Sequence, residues 1–162
     1  MAKRVRIYLD TSVFGALYDA EDPKRISIVE SLLKKIRNGD YEAFVSRLTL
    51  QEVIKAPENI KKGLTNTIRD LDLAVLEENE ESFELAELFL TEDVIPQKFR
   101  DDARHIAIAI FYNLDVLVSW NYRHMVNIRV KKMINSLCIR QGFKPIDIVS
   151  PEEVIEYEEM ES

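Results

Sequence analysis

Short apolar runs alternate with amphipathic segments along the whole chain, and no other feature of the sequence restricts the fold as strongly. Val5-Arg6-Ile7-Tyr8-Leu9 alternates with period two and stops at Asp10-Thr11-Ser12, which predicts a strand followed by a turn or helix start. From Pro23, residues Ile26, Val29, Leu32, Leu33 and Ile36 recur at helical spacing, and Asn38-Gly39 supplies a left-handed stop. A second short strand is predicted over Glu42–Ser46, then a helix over Leu48–Lys55 and another opened by Pro57 that reaches Asp70. Leu73–Leu76 is a third strand candidate, while Glu80–Leu90 and Phe99–Tyr112 are helical by period. Val116-Leu117-Val118-Ser119 is the continuous apolar run expected of a strand buried on both faces. A basic amphipathic helix is predicted over Tyr122–Gln141, closed by Gly142, and a last strand over Ile146–Val149. Strands that take turns with helices in this way imply an α/β fold, with helices covering both faces of a central parallel sheet.

Length and composition then narrow the class. The 162 residues suit one domain, since domains typically run ~100–200 residues, and no repeat or Gly/Ser linker divides them. We assign residues 1–150 to that domain and 151–162 to an acidic tail. Ser150-Pro151-Glu152-Glu153 is a capping box with proline at the first helical position, so the tail is expected to begin as a helix. Cys138 is the only cysteine, which excludes a disulfide framework and a cysteine-based zinc site. The longest apolar run, Ile106–Tyr112, is far shorter than the ~18–20 residues that cross a bilayer. The first residues enter charged sequence at once, without the apolar core of a signal peptide, so a cytoplasmic location and no membrane partner are expected.

The net charge of −7 conceals two opposed regions. Residues 151–162 hold six glutamates and no basic residue, which leaves the body near −1. Within the body, Val116–Ile146 contains no acid and carries Arg123, Arg129, Lys131, Lys132, Arg140 and Lys144. A localised basic face of this kind steers a polyanion even when the whole protein is acidic, although the same charges also suit the solvated side of an amphipathic helix.

In open parallel sheets ligands bind outside the carboxyl ends of the strands. Asp10 lies at the carboxyl end of the first predicted strand, Glu52 early in the helix after the second, and Asn121 just past Val116–Ser119. Asp101 and Asp102 begin the Phe99–Tyr112 helix, with His105 three residues after Asp102. Convergence of Asp10, Glu52 and Asp102 places three carboxylates around one small volume. Each also has a local reading: Asp10 as a cap, Glu52 as the last member of a Thr49-Leu50-Gln51-Glu52 capping box, Asp101 or Asp102 as an N-cap, Asn121 as a turn residue. Carboxylates within ~4–6 Å repel one another unless a cation lies between them. Oxygen-only ligation suits hard ions, Mg²⁺ or Mn²⁺, which activate water and neutralise charge developing on a phosphodiester. Other chemistries fit less well. Four glycines, at 15, 39, 63 and 142, permit neither a GxxxxGK[ST] phosphate loop nor a GxGxxG turn, and no serine sits in a GxSxG elbow. Among apolar neighbours His105 is expected to be a packed structural residue, and His124 a polar surface or RNA-contact residue.

Four segments, taken in order and with their spacing, resemble the PIN-domain family, and specifically its VapC-type toxin ribonucleases. They are Ile7-Tyr8-Leu9-Asp10-Thr11-Ser12, Ser46-Arg47-Leu48-Thr49-Leu50-Gln51-Glu52-Val53, Asp102-Ala103-Arg104-His105-Ile106-Ala107-Ile108-Ala109 and Val118-Ser119-Trp120-Asn121. The resemblance spans residues 5–149 and implies a three-layer α/β/α fold with a central parallel sheet and Mg²⁺- or Mn²⁺-dependent RNA cleavage. It also implies metal ligation by Asp10, Glu52 and Asp102, with Thr11 or Ser12 ordering the site. Asn121 stands where many members carry a fourth acid; an amide holds a second ion weakly but still orients a water. The resemblance further implies an antitoxin partner and a homodimer, and Arg123, Arg129, Lys131 and Lys132 are the expected RNA-binding residues. A PIN-like module that binds RNA or protein without cutting is the alternative that Asn121 motivates.

Overall fold

The period-two pattern of the first strand sends Ile7 and Leu9 to one side of a sheet and Tyr8 to the other, and two separate cores form accordingly. The computed structural model describes residues 3–155. Among them five strands, β1 (Val5–Leu9), β2 (Tyr41–Ser46), β3 (Ala74–Leu76), β4 (Val116–Val118) and β5 (Asp147–Val149), pair in parallel in the order β3-β2-β1-β4-β5. Register is set by pairs such as Tyr8 with Phe44, Tyr8 with Leu117, and Leu117 with Ile148, which align the apolar residues of each face across the sheet.

The helices are α1 (Thr11–Gly15), α2 (Pro23–Arg37), α3 (Arg47–Ile54), α4 (Glu58–Asp70), α5 (Glu80–Thr91), α6 (Arg100–Phe111) and α7 (Ile128–Gln141), with residues 151–155 also helical. One face of the sheet, with Ile7, Leu9, Ala43, Val45 and Val118, packs on Leu32 and Ile36 of α2 and Leu64 and Ile68 of α4. The other, with Tyr8, Phe44, Leu117 and Ile148, packs on Phe89 of α5, Ile106 and Ile110 of α6 and Ile134 of α7. The result is the expected three-layer α/β/α arrangement. Every parallel connection needs a crossover, which is why each strand is followed by a helix. Burying one large aliphatic side chain contributes about 1.5–3 kcal/mol, so α6, whose Ile106, Ile108 and Ile110 are all buried, is anchored as firmly as the strands.

Several expected boundaries move. The basic helix does not start at Tyr122: residues 122–127 form turns, and α7 begins at Ile128. Asn121 O accepts the N–H groups of both Met125 (3.1 Å) and Val126 (2.9 Å), and Asn127, with extended backbone, caps α7 by accepting Val130 N–H at 2.9 Å. The capping box also lies elsewhere. Ser46 is the N-cap of α3 and Thr49 its N3 partner, so Glu52 has no capping task. Neither Asp101 nor Asp102 caps α6, whose N-cap is Phe99 without a side-chain bond. Ser150 Oγ accepts Glu153 N–H at 3.2 Å, starting a helix at residue 151; residues 156–162 of the expected acidic tail lie outside the described residues. No described helix is long and apolar enough to cross a membrane.

Candidate functional site

Strand order runs from β1 outward through β2 to β3, then returns to the other side of β1 for β4 and β5. Helices leaving β1 and β4 therefore diverge, and a crevice opens outside the carboxyl ends of these two strands. Asp10 and Ser119, the residues that follow them, meet there.

Asp10 N–H donates to Val118 O at 3.2 Å, closing the end of the β1–β4 pair. The carboxylate is clamped from both strands. Ser12 donates to Oδ1 through Oγ (2.6 Å) and N–H (3.1 Å), while Ser119 Oγ donates to Oδ2 (2.8 Å). Both hydroxyls are themselves held, since Ser12 Oγ accepts Trp120 N–H and Ser119 Oγ accepts Asn121 N–H, each at 2.9 Å. Asp10 thus caps α1 and lines the crevice at once. Burial pushes its carboxyl above the ordinary range, although the His105 charge and the Ser12 and Ser119 bonds oppose the rise.

Glu52 comes from the second half of α3, the sixth of its eight residues. Its Oε1 accepts Thr11 Oγ1 (3.0 Å) and Nε2 of His105 (2.5 Å). Burial alone raises its carboxyl, but the bond to His105, the charge of that ring and the Thr11 hydroxyl together hold it below the usual value. His105 shows the converse: burial pushes the ring down, and the Glu52 bond with the charges of Asp10, Glu52 and Asp102 lifts it above its ordinary value.

Asp102 enters from the first turn of α6. Burial and then the neighbouring Asp10 charge push it up to about 6. Its Oδ2 accepts Nδ2 of Asn121 at 3.0 Å, and Oδ1 of that amide accepts His124 N–H at 3.0 Å. A backbone N–H can only donate, so the amide orientation is fixed and Asn121 presents a donor, not an oxygen, to Asp102. Asp101 points elsewhere and pairs with Arg104 at 3.0 Å. Of the two acids the sequence left open, Asp102 is the one beside Asp10 and Glu52.

The structure therefore gathers Asp10, Glu52, Asp102, Asn121, Thr11 and Ser12 at one rim. Two residues the sequence reasoning did not assign to the site lie there too. His105 is 2% exposed, yet it touches Glu52 through Nε2 and the Tyr8 hydroxyl through Nδ1 (2.6 Å). Tyr8 in turn meets Ser46 Oγ at 2.7 Å. The signal was present: a tyrosine inside a buried strand must find a partner for its hydroxyl, and His105 follows Asp102 by three residues on one helix face. His124 departs from expectation in the other direction. It is buried against Phe99, with ring centroids 3.9 Å apart.

The expected RNA-binding residues do not form a uniform face. Arg123 and Lys132 are exposed. Arg129 Nη2 donates to Asp93 O at 3.2 Å, and Lys131 Nζ lies 3.7 Å from Asp147 Oδ1. Neighbouring elements thus return acids and carbonyls to a stretch that has none of its own acids.

The donor set fits a hard divalent cation: three carboxylates near enough to raise one another's proton affinity, with no sulfur among them. No hydrogen bond among the described residues reaches Oε2 of Glu52 or Oδ1 of Asp102, which leaves an oxygen of each for a ligand. In the present side-chain positions, no three His, Cys, Asp or Glu residues among those described stand together as a formed metal cage.

Comparison with known proteins adds two findings. A family model described as PIN domain matches residues 7–127. The structure resembles that of VapBC2 from Rickettsia felis, solved bound to a DNA fragment from their promoter, with a TM-score of 0.52 over 90% of this chain and 98% of that one. At 15% identity this likeness concerns the fold. No curated protein matches the sequence.

Proposed function

This chain belongs to the PIN-domain family, and from that premise we propose that it is a divalent-metal-dependent endoribonuclease that hydrolyses RNA phosphodiester bonds. The observation that carries the reading is the meeting of Asp10, Glu52 and Asp102, from three separate elements, at the crevice where strand order reverses, with the Asp10 and Glu52 charges both raising Asp102. Mutual repulsion of this kind, which His105 already offsets in part, is relieved by a divalent cation between the acids.

Asp10, Glu52 and Asp102 would hold Mg²⁺ or Mn²⁺, which when bound supplies a nucleophilic water and neutralises charge on the phosphate. The chain's own contribution is to keep the acids in place. Ser12 and Ser119 hold Asp10, Thr11 and His105 hold Glu52, and Asn121 holds Asp102. Arg123 and Lys132, exposed near the start of α7, offer positive charge to the RNA backbone. The R. felis likeness supports a toxin restrained by a small antitoxin, and a homodimer fits the same assignment.

The test is cleavage of single-stranded RNA by the purified protein with Mn²⁺ and with a chelator. Cleavage that depends on the ion and is lost in Asp10→Asn supports the assignment, whereas cleavage that survives either change refutes it. A second reading, a PIN module that binds RNA or protein without cutting, is favoured by the absence of a formed cage among the described residues and by an Asp10 carboxylate already engaged on both oxygens. Calorimetry separates the two, because no heat of Mn²⁺ binding at millimolar ion favours the module.

A further inference from the structure

A closed circuit of hydrogen bonds begins and ends on α3. Ser46, its N-cap, accepts Thr49 N–H (3.3 Å) and lies 2.7 Å from the Tyr8 hydroxyl on β1. Tyr8 lies 2.6 Å from Nδ1 of His105 on α6, and Nε2 of His105 lies 2.5 Å from Oε1 of Glu52, back on α3. Tyr8 is fully buried, Ser46 is 0% exposed and His105 2%, so water does not compete for the Ser46–Tyr8 and Tyr8–His105 bonds, while Glu52 at the open end is 28% exposed.

The Glu52 end of the circuit has a fixed direction. An ionised Glu52 only accepts, so Nε2 donates to it; a neutral ring accepts at Nδ1 from the Tyr8 hydroxyl, and a protonated ring donates there instead, without altering the bond to Glu52. Turning the imidazole over would break the bonds at both nitrogens. The ring is locked, and Oε1 of Glu52 is locked with it.

We propose that Tyr8 and His105 are positioning residues for Glu52: the buried Ser46–Tyr8–His105 circuit fixes one carboxylate oxygen and leaves the other for the ligand. This rests on the reading of Glu52 as a metal ligand. Thr11 reinforces the hold from β1's end with its bond to the same oxygen (3.0 Å). Losing a partner that orients a ligand from behind typically lowers metal affinity about 10–100-fold.

The test uses the whole chain and Mn²⁺ as the probe. His105→Gln keeps a donor at the position of Nε2, while His105→Asn reaches only the position of Nδ1. Calorimetry should show Mn²⁺ affinity lowered ~10–100-fold in His105→Asn and by a clearly smaller factor in His105→Gln. Equal losses, or no loss in His105→Asn, overturn the proposal. Nitrogen-15 NMR of the metal-free protein supplies a readout independent of the ion. The Nε2-protonated form of His105 should appear with a slowly exchanging proton in the wild type, and Tyr8→Phe should shift Nδ1 and speed that exchange. Unchanged resonances in Tyr8→Phe overturn the positioning role, and this variant decides the matter if His105→Asn does not fold. If the wild type takes up no Mn²⁺ while the NMR result holds, the ligand assignment of Glu52 fails and the positioning of Glu52 stands.

Discussion

Three carboxylates share one crevice, yet each is held by different chemistry, and they respond differently to change. Asp10 has both oxygens bonded to serine hydroxyls, one from each flanking strand end. Asp10→Asn keeps the shape and an acceptor for Ser12, so its stability should stay within ~1 kcal/mol of wild type while RNA cleavage is abolished; urea melts beside a cleavage assay check both. Asp102 is pushed up to about 6, so the folded protein favours its protonated form. As pH rises from the ordinary carboxylate range near ~4 through about 6, metal-free protein should lose stability, by roughly 1 kcal/mol after allowing for partial exposure. Urea unfolding across that window should show the decline flattened in Asp102→Asn. Ion uptake has the opposite sign, because the proton on Asp102 competes with the metal. Mn²⁺ affinity should therefore climb as pH passes about 6, and an affinity independent of pH would remove Asp102 from the ligand set.

At the scale of elements, the segment between β4 and α7 is the most instructive. Asn127 caps α7 through Oδ1 and ties the preceding turns by donating Nδ2 to the carbonyls of Tyr122 (2.9 Å) and Arg123 (3.0 Å). Asn127→Ala should cost about 1 kcal/mol or somewhat more by thermal denaturation, with Asn127→Asp recovering only the cap. The same segment shows where sequence reading stops. Apolar spacing through Met125, Val126 and Val130 continues a helical pattern backwards, because burial alone does not distinguish a tight turn from a helix. What separates them is Asn121, whose carbonyl takes the N–H groups of Met125 and Val126 and ends the run. Strand positions were legible because β1 alternates and β4 is apolar throughout, and the acids were legible because they follow strand ends. His105 was hidden by its apolar neighbours on α6. Its role depends on a tyrosine 97 positions away in sequence, which no local pattern reveals.

For the whole molecule, the balance of charge matters more than its sum. A net charge of −7 with a pI near 5.0 does not suggest a nucleic-acid-binding protein. Of the four basic residues expected to meet RNA, Arg129 and Lys131 are tethered to Asp93 and Asp147, which leaves Arg123 and Lys132. Binding of single-stranded RNA should consequently depend only moderately on salt, with a log–log slope of about −1 to −2 instead of the steep dependence of a broad basic face. Arg123→Ala with Lys132→Ala should reduce that slope by roughly one unit in a fluorescence titration, without altering Mn²⁺ affinity.

The hydroxyl that secures Asp10 from the far side, Ser119, arrives with β4, more than a hundred residues after the acid it holds. A chain still being synthesised already carries Asp10 and Glu52 while β1 has one edge bare and half of the clamp is missing. On the nuclease reading proposed above, that order keeps the site incomplete until β4 has been made and paired with β1.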